Sequence, residues 1–335
     1  MPKKVTWKKG MRLTAETFEA MEAANSEHIR LSNLIATGGR FGLFFDGKPF
    51  EISVNIINNI LEVVSLSCRG ITKSGKIVDL DFDSGYSNSY ETRIKLPDDS
   101  GDDSFILAVR VPQDTWGETD EKYSEPNYSF EILGENSTID NDTLPIGNLV
   151  NQYGWRLNEL DYVPPCLYVP AHHKYIDLYQ RLKKELKVLS ERCEASPDCI
   201  AVRLLQSVWT ASAEGYSRLE KELWGLTPEQ LYGIVQSVVR SFVIGCALDE
   251  NISLEDPEPF EMYARRSYDL RNLCRDIEKG VELCSEINIK MAKVCEMKSI
   301  PEPQPVPPAP TVTKPKPVQP PQPAPSRNRW DGIEI

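Results

Sequence analysis

His172 and His173 are the adjacent residues in this chain whose chemistry is most versatile, since imidazole serves both as a metal ligand and as a general base near neutral pH. Their spacing works against both roles. Neighbouring side chains on a helix point about 100° apart, so the pair cannot close on one ion, and the nearby Lys174 and Asp177 supply a single carboxylate. Asp79, Asp81 and Asp83 alternate along a strand and share one face. A calcium loop needs a glycine turn and a closing bidentate glutamate, which this run lacks, so a solvated strand face accounts for it. No Gly-x-Gly-x-x-Gly, phosphate-loop, Gly-x-Ser-x-Gly or His-Glu-x-x-His pattern occurs. Thr37-Gly38-Gly39-Arg40 reads as a helix stop that enters a strand, whereas a phosphate cradle needs a helix to begin there. The eight cysteines, Cys68, Cys166, Cys193, Cys199, Cys246, Cys274, Cys284 and Cys295, contain no Cys-x-x-Cys pair and read as buried thiols. The expectation is a protein without catalytic residues, metal or cofactor.

The elements that carry these residues fall into three stretches. With 335 residues, 40% of them hydrophobic and 26% charged, the chain can bury one or two sizeable cores. A net charge of −12 and the lack of a basic patch argue against a nucleic-acid partner. No apolar run reads as the roughly 20 residues that span a bilayer, and Met1-Pro2-Lys3-Lys4-Val5 has no signal-peptide core, so the expected location is the cytoplasm.

From Arg40 to about Tyr162 the hydrophobic period is near two. Glu51–Ile56 and Leu61–Cys68 alternate on either side of Asn58-Asn59, a hairpin turn, and further strands are predicted at Lys76–Phe82, Tyr90–Leu96 and Phe105–Val111. Many short strands with frequent turns predict a β-sandwich-like or barrel-like domain. After Pro164-Pro165 the period lengthens. Ile176, Tyr179, Leu182, Leu186, Leu189 and Cys193 share one helical face, and Leu204, Val208, Ala211, Leu219 and Leu223 share another. Thr227-Pro228-Glu229-Gln230 starts a third helix as a capping box with proline at the first helical position. A final helix is predicted from Asp256-Pro257, with Leu270, Ile277, Cys284 and Met291 at seven-residue spacing. That seam fits either intrachain packing in a bundle or an oligomer interface. Twelve prolines between Pro301 and Pro325 then predict an extended or disordered tail, which ends in a patch holding Arg327, Arg329 and Trp330, the residue types that most often carry binding energy. The fold class is therefore α+β, divided as an N-terminal segment over 1–39, a β-rich domain over 40–165, a helical bundle over 166–298 and a proline-rich tail over 299–335.

The N-terminal segment is the most distinctive. Val5 and Trp7 alternate as a short strand would, Gly10 permits a sharp turn, and Thr14 is placed to cap a helix carrying Phe18 and Met21. The order Trp7-x-x-Gly10-Met11-x-Leu13-x-x-x-x-Phe18 resembles the N-terminal signature of TssK, a baseplate subunit of type VI secretion systems, although Thr17 and Glu19 flank Phe18 and the Gln and His of that family's usual Gln-His-Phe triplet are absent. The strand pair around Lys48–Val54 and Cys68–Asp79, with its turn Thr72-x-x-Gly75-x-Ile77-Val78, is similar to the family's, and Pro164–Val169 resembles its lead into the helices. Together these cover about Val5 to Met297.

The resemblance implies a homotrimer in which a β-rich shoulder binds TssF- and TssG-like wedge proteins and a helical neck holds three subunits together. It also implies that the C-terminal end faces the membrane complex at the cytoplasmic side of the inner membrane. The family's C-terminal head has no counterpart sequence and the proline-rich tail stands in its place, so the membrane-facing contact is either made by this tail or handed to another protein. Trp7, Gly10, Met11, Leu13 and Phe18 would orient the N-terminal segment, either by docking on wedge subunits or by packing inside the shoulder. Two other readings stay open at this point: a phage-tail baseplate or receptor-binding subunit, and a scaffold that recruits partners through its proline-rich tail.

Overall fold

The computed structural model describes residues 5–83, 92–97, 103–111, 116–118, 124–134, 137–159, 161–250, 252, 256–269 and 272–297. The chain divides into two units, Met1–Lys298 and Ser299–Ile335, and the described residues all lie in the first.

Helix α1 (Ala15–Thr37) comes first. It is followed by strands β1 (Gly42–Leu43), β2 (Glu51–Ile57), β3 (Ile60–Ile71), β4 (Ile77–Asp83), β5 (Arg93–Lys95), β6 (Ser104–Arg110), β7 (Trp116–Glu118), β8 (Ser124–Pro126), β9 (Ser129–Gly134), β10 (Thr143–Asn151) and β11 (Trp155–Leu157). Then come a 3-10 turn (Val169–Ala171) and helices α2 (His173–Glu194), α3 (Val202–Lys221), α4 (Pro228–Leu248), α5 (Glu258–Arg265) and α6 (Leu273–Cys295). Among the described residues every pair of strands is antiparallel, and one isolated parallel bridge joins Leu43 to Cys166. Strand β3 centres one sheet, with β1 and β2 on one side and β4 and β5 on the other, and a second sheet runs β11-β10-β6-β9. The hairpin between β2 and β3 turns through Asn58 and Asn59, both at positive φ, where asparagine is among the few residues tolerated.

The two sheets share a core. Phe82 of β4 meets Phe130 of β9 edge-on, and the Tyr128 hydroxyl accepts a hydrogen bond from the Asp79 amide across the same gap. The lead into the helices is pinned to this core. The Leu43 amide donates to the Pro165 carbonyl at 2.7 Å and the Leu43 carbonyl accepts from the Leu167 amide at 2.7 Å, so Gly42 sits where any Cβ would lie 2.5 Å from the Pro165 oxygen.

In the helical half α2, α3, α4 and α6 form a ring of neighbours, α2 against α3 and α6, and α4 against α3 and α6, with α5 laid along α4. Two expectations need correction. The predicted final helix is two helices, because the backbone at Arg266 turns to the extended region and its carbonyl is held by the Tyr232 hydroxyl and the Gln236 amide. No glycine or proline marks that break, so the apolar period runs through it. The second concerns membrane-length runs: α4 is 21 residues and long and apolar enough to cross a membrane by length and composition. Its apolar surround has another use, since Leu231, Ile234, Val235, Val238, Val239 and Phe242 are buried against the neighbouring helices, as expected of the central helix of a bundle.

Candidate partner-binding surface

The N-terminal arm is held by one end. A helix of this length spans about 34 Å, yet Thr37 is the one buried residue of α1. Its anchor is the Thr72–Lys76 turn. Arg30 Nη1 donates to the Ser74 carbonyl at 2.7 Å and Asn33 Nδ2 to the Gly75 carbonyl at 3.0 Å. Gly75 has φ +89°, and a Cβ there would lie 2.6 Å from the Arg30 carbonyl, so the helix seats on a backbone only glycine provides. The turn is itself clamped: Ser74 Oγ bonds Asp142 Oδ1 at 2.5 Å and Lys76 Nζ pairs with Asp142 Oδ2 at 2.9 Å. Glu27 fixes Arg30 from the other side in a bidentate pair at 2.7 and 2.8 Å, and that bond holds the Glu27 carboxyl below its usual range. Gly38 in the left-handed region and the Gly39 amide, bonded to the Leu34 carbonyl, close the helix.

Toward its start the arm is apolar and open. Trp7 is 49% exposed and Phe18 48% exposed, and their rings sit 6.4 Å apart; Met11 and Leu13 beside them, and Ile29 and Ile35 further along, are exposed as well. These residues lie outside the buried core. Gly10 takes φ +81°, making the turn that carries Trp7 back over Phe18. The Thr14 side chain bonds the Thr17 hydroxyl at 3.1 Å and caps no backbone amide, contrary to its expected role. Sequence reasoning missed Arg30, Asn33 and Leu34, the residues that anchor the arm. The only signal for them lay in a partner segment 40 residues away.

The seven-residue seam lies elsewhere. Ile277, Cys284 and Met291 are 0% exposed within the single chain, filled by α2 and α4, while Leu270 falls outside the described residues. The seam is intrachain core, and none of its described residues is left for a second copy. What the bundle does expose is a groove between α3 and α4, lined by Arg203, Gln206, Thr210 and Ser241, with Val202, Trp209, Ile244 and Leu248 exposed on the same two helices. Arg327, Arg329 and Trp330 lie outside the described residues.

The two histidines do not converge on an ion. Their rings stack at 4.5 Å, and His172 caps α2, its Nδ1 accepting from the Lys174 amide at 3.3 Å. Burial, with smaller contributions from His173 and Lys174, pushes the His172 pKa down to about 3. Among the described residues no group of three or more His, Cys, Asp or Glu side chains is placed to hold a metal.

Paired antiparallel sheets followed by a helical bundle, with a long helix ahead of the first strand, define an α+β class that solved structures share. The fold is that of TssK. A chain of the type VI secretion TssK-TssF-TssG baseplate subcomplex matches 84% of this chain and 99% of its own length, with a TM-score of 0.57 and 14% identity. The crystal structure of TssK matches 86% and 69% respectively, at 0.59 and 13%. A chain of the type VI secretion baseplate complex matches 84% and 99%, at 0.51 and 14%. No family model and no curated protein matches the sequence.

Proposed function

We propose that the chain is a non-enzymatic structural adaptor of a type VI secretion baseplate. The observation that carries this reading is the fold likeness to TssK, which spans both the sheet half and the helical half in one chain order. In this reading residues 1–165 form a shoulder that binds TssF- and TssG-like wedge proteins, 166–298 a neck, and 299–335 a tail directed to the membrane complex at the cytoplasmic face of the inner membrane. The arm is the part of the shoulder best suited to gripping a partner, because half-exposed Trp7 and Phe18 are large apolar side chains whose burial the single chain leaves incomplete. The adaptor works as a homotrimer. The exposed Val202, Trp209, Ile244 and Leu248 on α3 and α4 supply apolar surface for contacts between copies, the role the buried seam cannot fill.

The test is wedge binding by Trp7→Ala and Phe18→Ala variants. Both should keep the melting temperature of the parent, since neither side chain is in the core, and should lose co-purification of wedge subunits. Parent-like wedge binding by both variants would remove the arm from the interface. Capture of phage-tail proteins in place of wedge subunits would favour a receptor-binding role.

A further inference from the structure

Three thiols meet where α2 and α6 end. The two helices run side by side in the same direction, since Arg181 of α2 faces Glu278 of α6 and, further along both, Arg192 donates to the Asn288 carbonyl. Asn288 Nδ2 in turn donates to the Glu185 carbonyl at 3.0 Å and to Glu185 Oε2 at 2.7 Å. Cys193, in the last turn of α2, and Cys295, the final residue of α6, are thereby brought together, and their side chains share a hydrogen bond. Beyond α2 the chain crosses the end of α6. The Ile200 amide donates to the Met297 carbonyl at 3.0 Å, and Cys199 Sγ to the Val294 carbonyl at 3.2 Å.

The three sulfur atoms differ in access. Cys193 and Cys199 are buried, whereas Cys295 is partly open to solvent. Burial, with a smaller contribution from Cys295, pushes the Cys193 thiol up to about 12, so it stays protonated at neutral pH. An oxidant arriving from solvent therefore meets Cys295 first, and the thiol beside it is Cys193. Cys199 is engaged with the Val294 carbonyl instead.

We propose that Cys193 and Cys295 form a reversible, peroxide-responsive disulfide that staples the end of α6 to α2. The Cys295 sulfur attacks one oxygen of hydrogen peroxide; an S–O bond forms as the O–O bond breaks, and the other oxygen leaves as water with the Cys295 proton. The Cys193 sulfur then attacks the Cys295 sulfur. An S–S bond forms as the S–O bond breaks, and the hydroxide leaves as a second water with the Cys193 proton. Two thiols are oxidised and one peroxide is reduced to two waters. The bond closes a loop of about 100 residues, and it fixes α6 where the first unit ends at Lys298. The inference rests on the thiols alone and does not depend on the baseplate reading.

The experiment is to treat the reduced full-length protein with a few equivalents of hydrogen peroxide, block the remaining thiols and map linked peptides by mass spectrometry. Cleavage at glutamate parts Cys193 from Cys199 at Glu194, so the two linkages are distinguished. The expected product is a peptide pair joined through Cys193 and Cys295, roughly tenfold or more above untreated protein and lost on adding dithiothreitol. Cys199→Ser protein should form it as the parent does. In Cys193→Ser protein Cys295 should advance to the sulfinic acid, because no neighbouring thiol traps the sulfenic acid. The parent's own linkage map decides the proposal even where that variant fails to fold. Parent Cys295 recovered still reduced, over-oxidised without a link, or linked to Cys199 or to a second chain would overturn it.

Discussion

At the scale of single residues, Gly280 and Gly233 make a contrast that composition could not supply. Both sit inside helices, where alanine is the better helix former. A methyl group at Gly280 would overlap the Tyr263 hydroxyl and a Val235 methyl, so α6 packs against α4 and α5 across a bare backbone, whereas Gly233 faces open space. Gly280→Ala should therefore cost about 1–3 kcal/mol through overpacking, and Gly233→Ala should gain up to about 1 kcal/mol, both read from urea unfolding midpoints. His172 gives a pH prediction. The unfolded ring takes its proton near pH 6.5 and the folded one near 3. Between those values the unfolded chain binds more protons, so stability falls as pH falls through that window, by up to about 1.4 kcal/mol per pH unit. His172→Asn keeps a capping acceptor and removes the titration. Whatever its absolute stability, its pH slope between 6 and 4 should be flatter than the parent's. Neither the glycine contrast nor the histidine's burial was legible in the sequence, because both depend on which neighbour lies across the gap.

At the scale of elements, local signals were read well and long-range ones poorly. Thr227 and Gln230 form a capping box with bonds of 3.2 and 2.9 Å, three residues apart and visible in the sequence. Thr14 has the same residue type at a helix start but spends its hydroxyl on Thr17. Thr227→Ala should thus cost about 1 kcal/mol and Thr14→Ala close to nothing, by thermal or chemical unfolding. The Asn58-Asn59 turn and the paired glycines after α1 were equally legible, since asparagine and glycine have a physical reason to sit at positive φ. The break between α5 and α6 was not, because side chains of α4 hold the Arg266 carbonyl from more than 29 residues away. The apolar period of α6 was correct, but periodicity reports that a face is buried and says nothing of which chain buries it. Only the structure assigns Ile277, Cys284 and Met291 to the intrachain core.

At the scale of the whole molecule, the order of the chain carries most of the argument. A β-rich half followed by a bundle was evident from the change in hydrophobic period after Pro164-Pro165, and the fold likeness to TssK spans that change. The proposed trimer belongs to this scale as well. Light scattering should give three chain masses, and Trp209→Glu with Ile244→Glu should reduce them to one while leaving the intrachain core folded, since both side chains are exposed on the single chain. The measurement that tests the central claim most directly is affinity purification of the tagged protein from its native cells at physiological salt, with mass spectrometry of what remains bound. The account predicts stoichiometric recovery of TssF- and TssG-like wedge subunits, lost together in the Trp7→Ala variant. Their absence from a preparation of folded protein would contradict it.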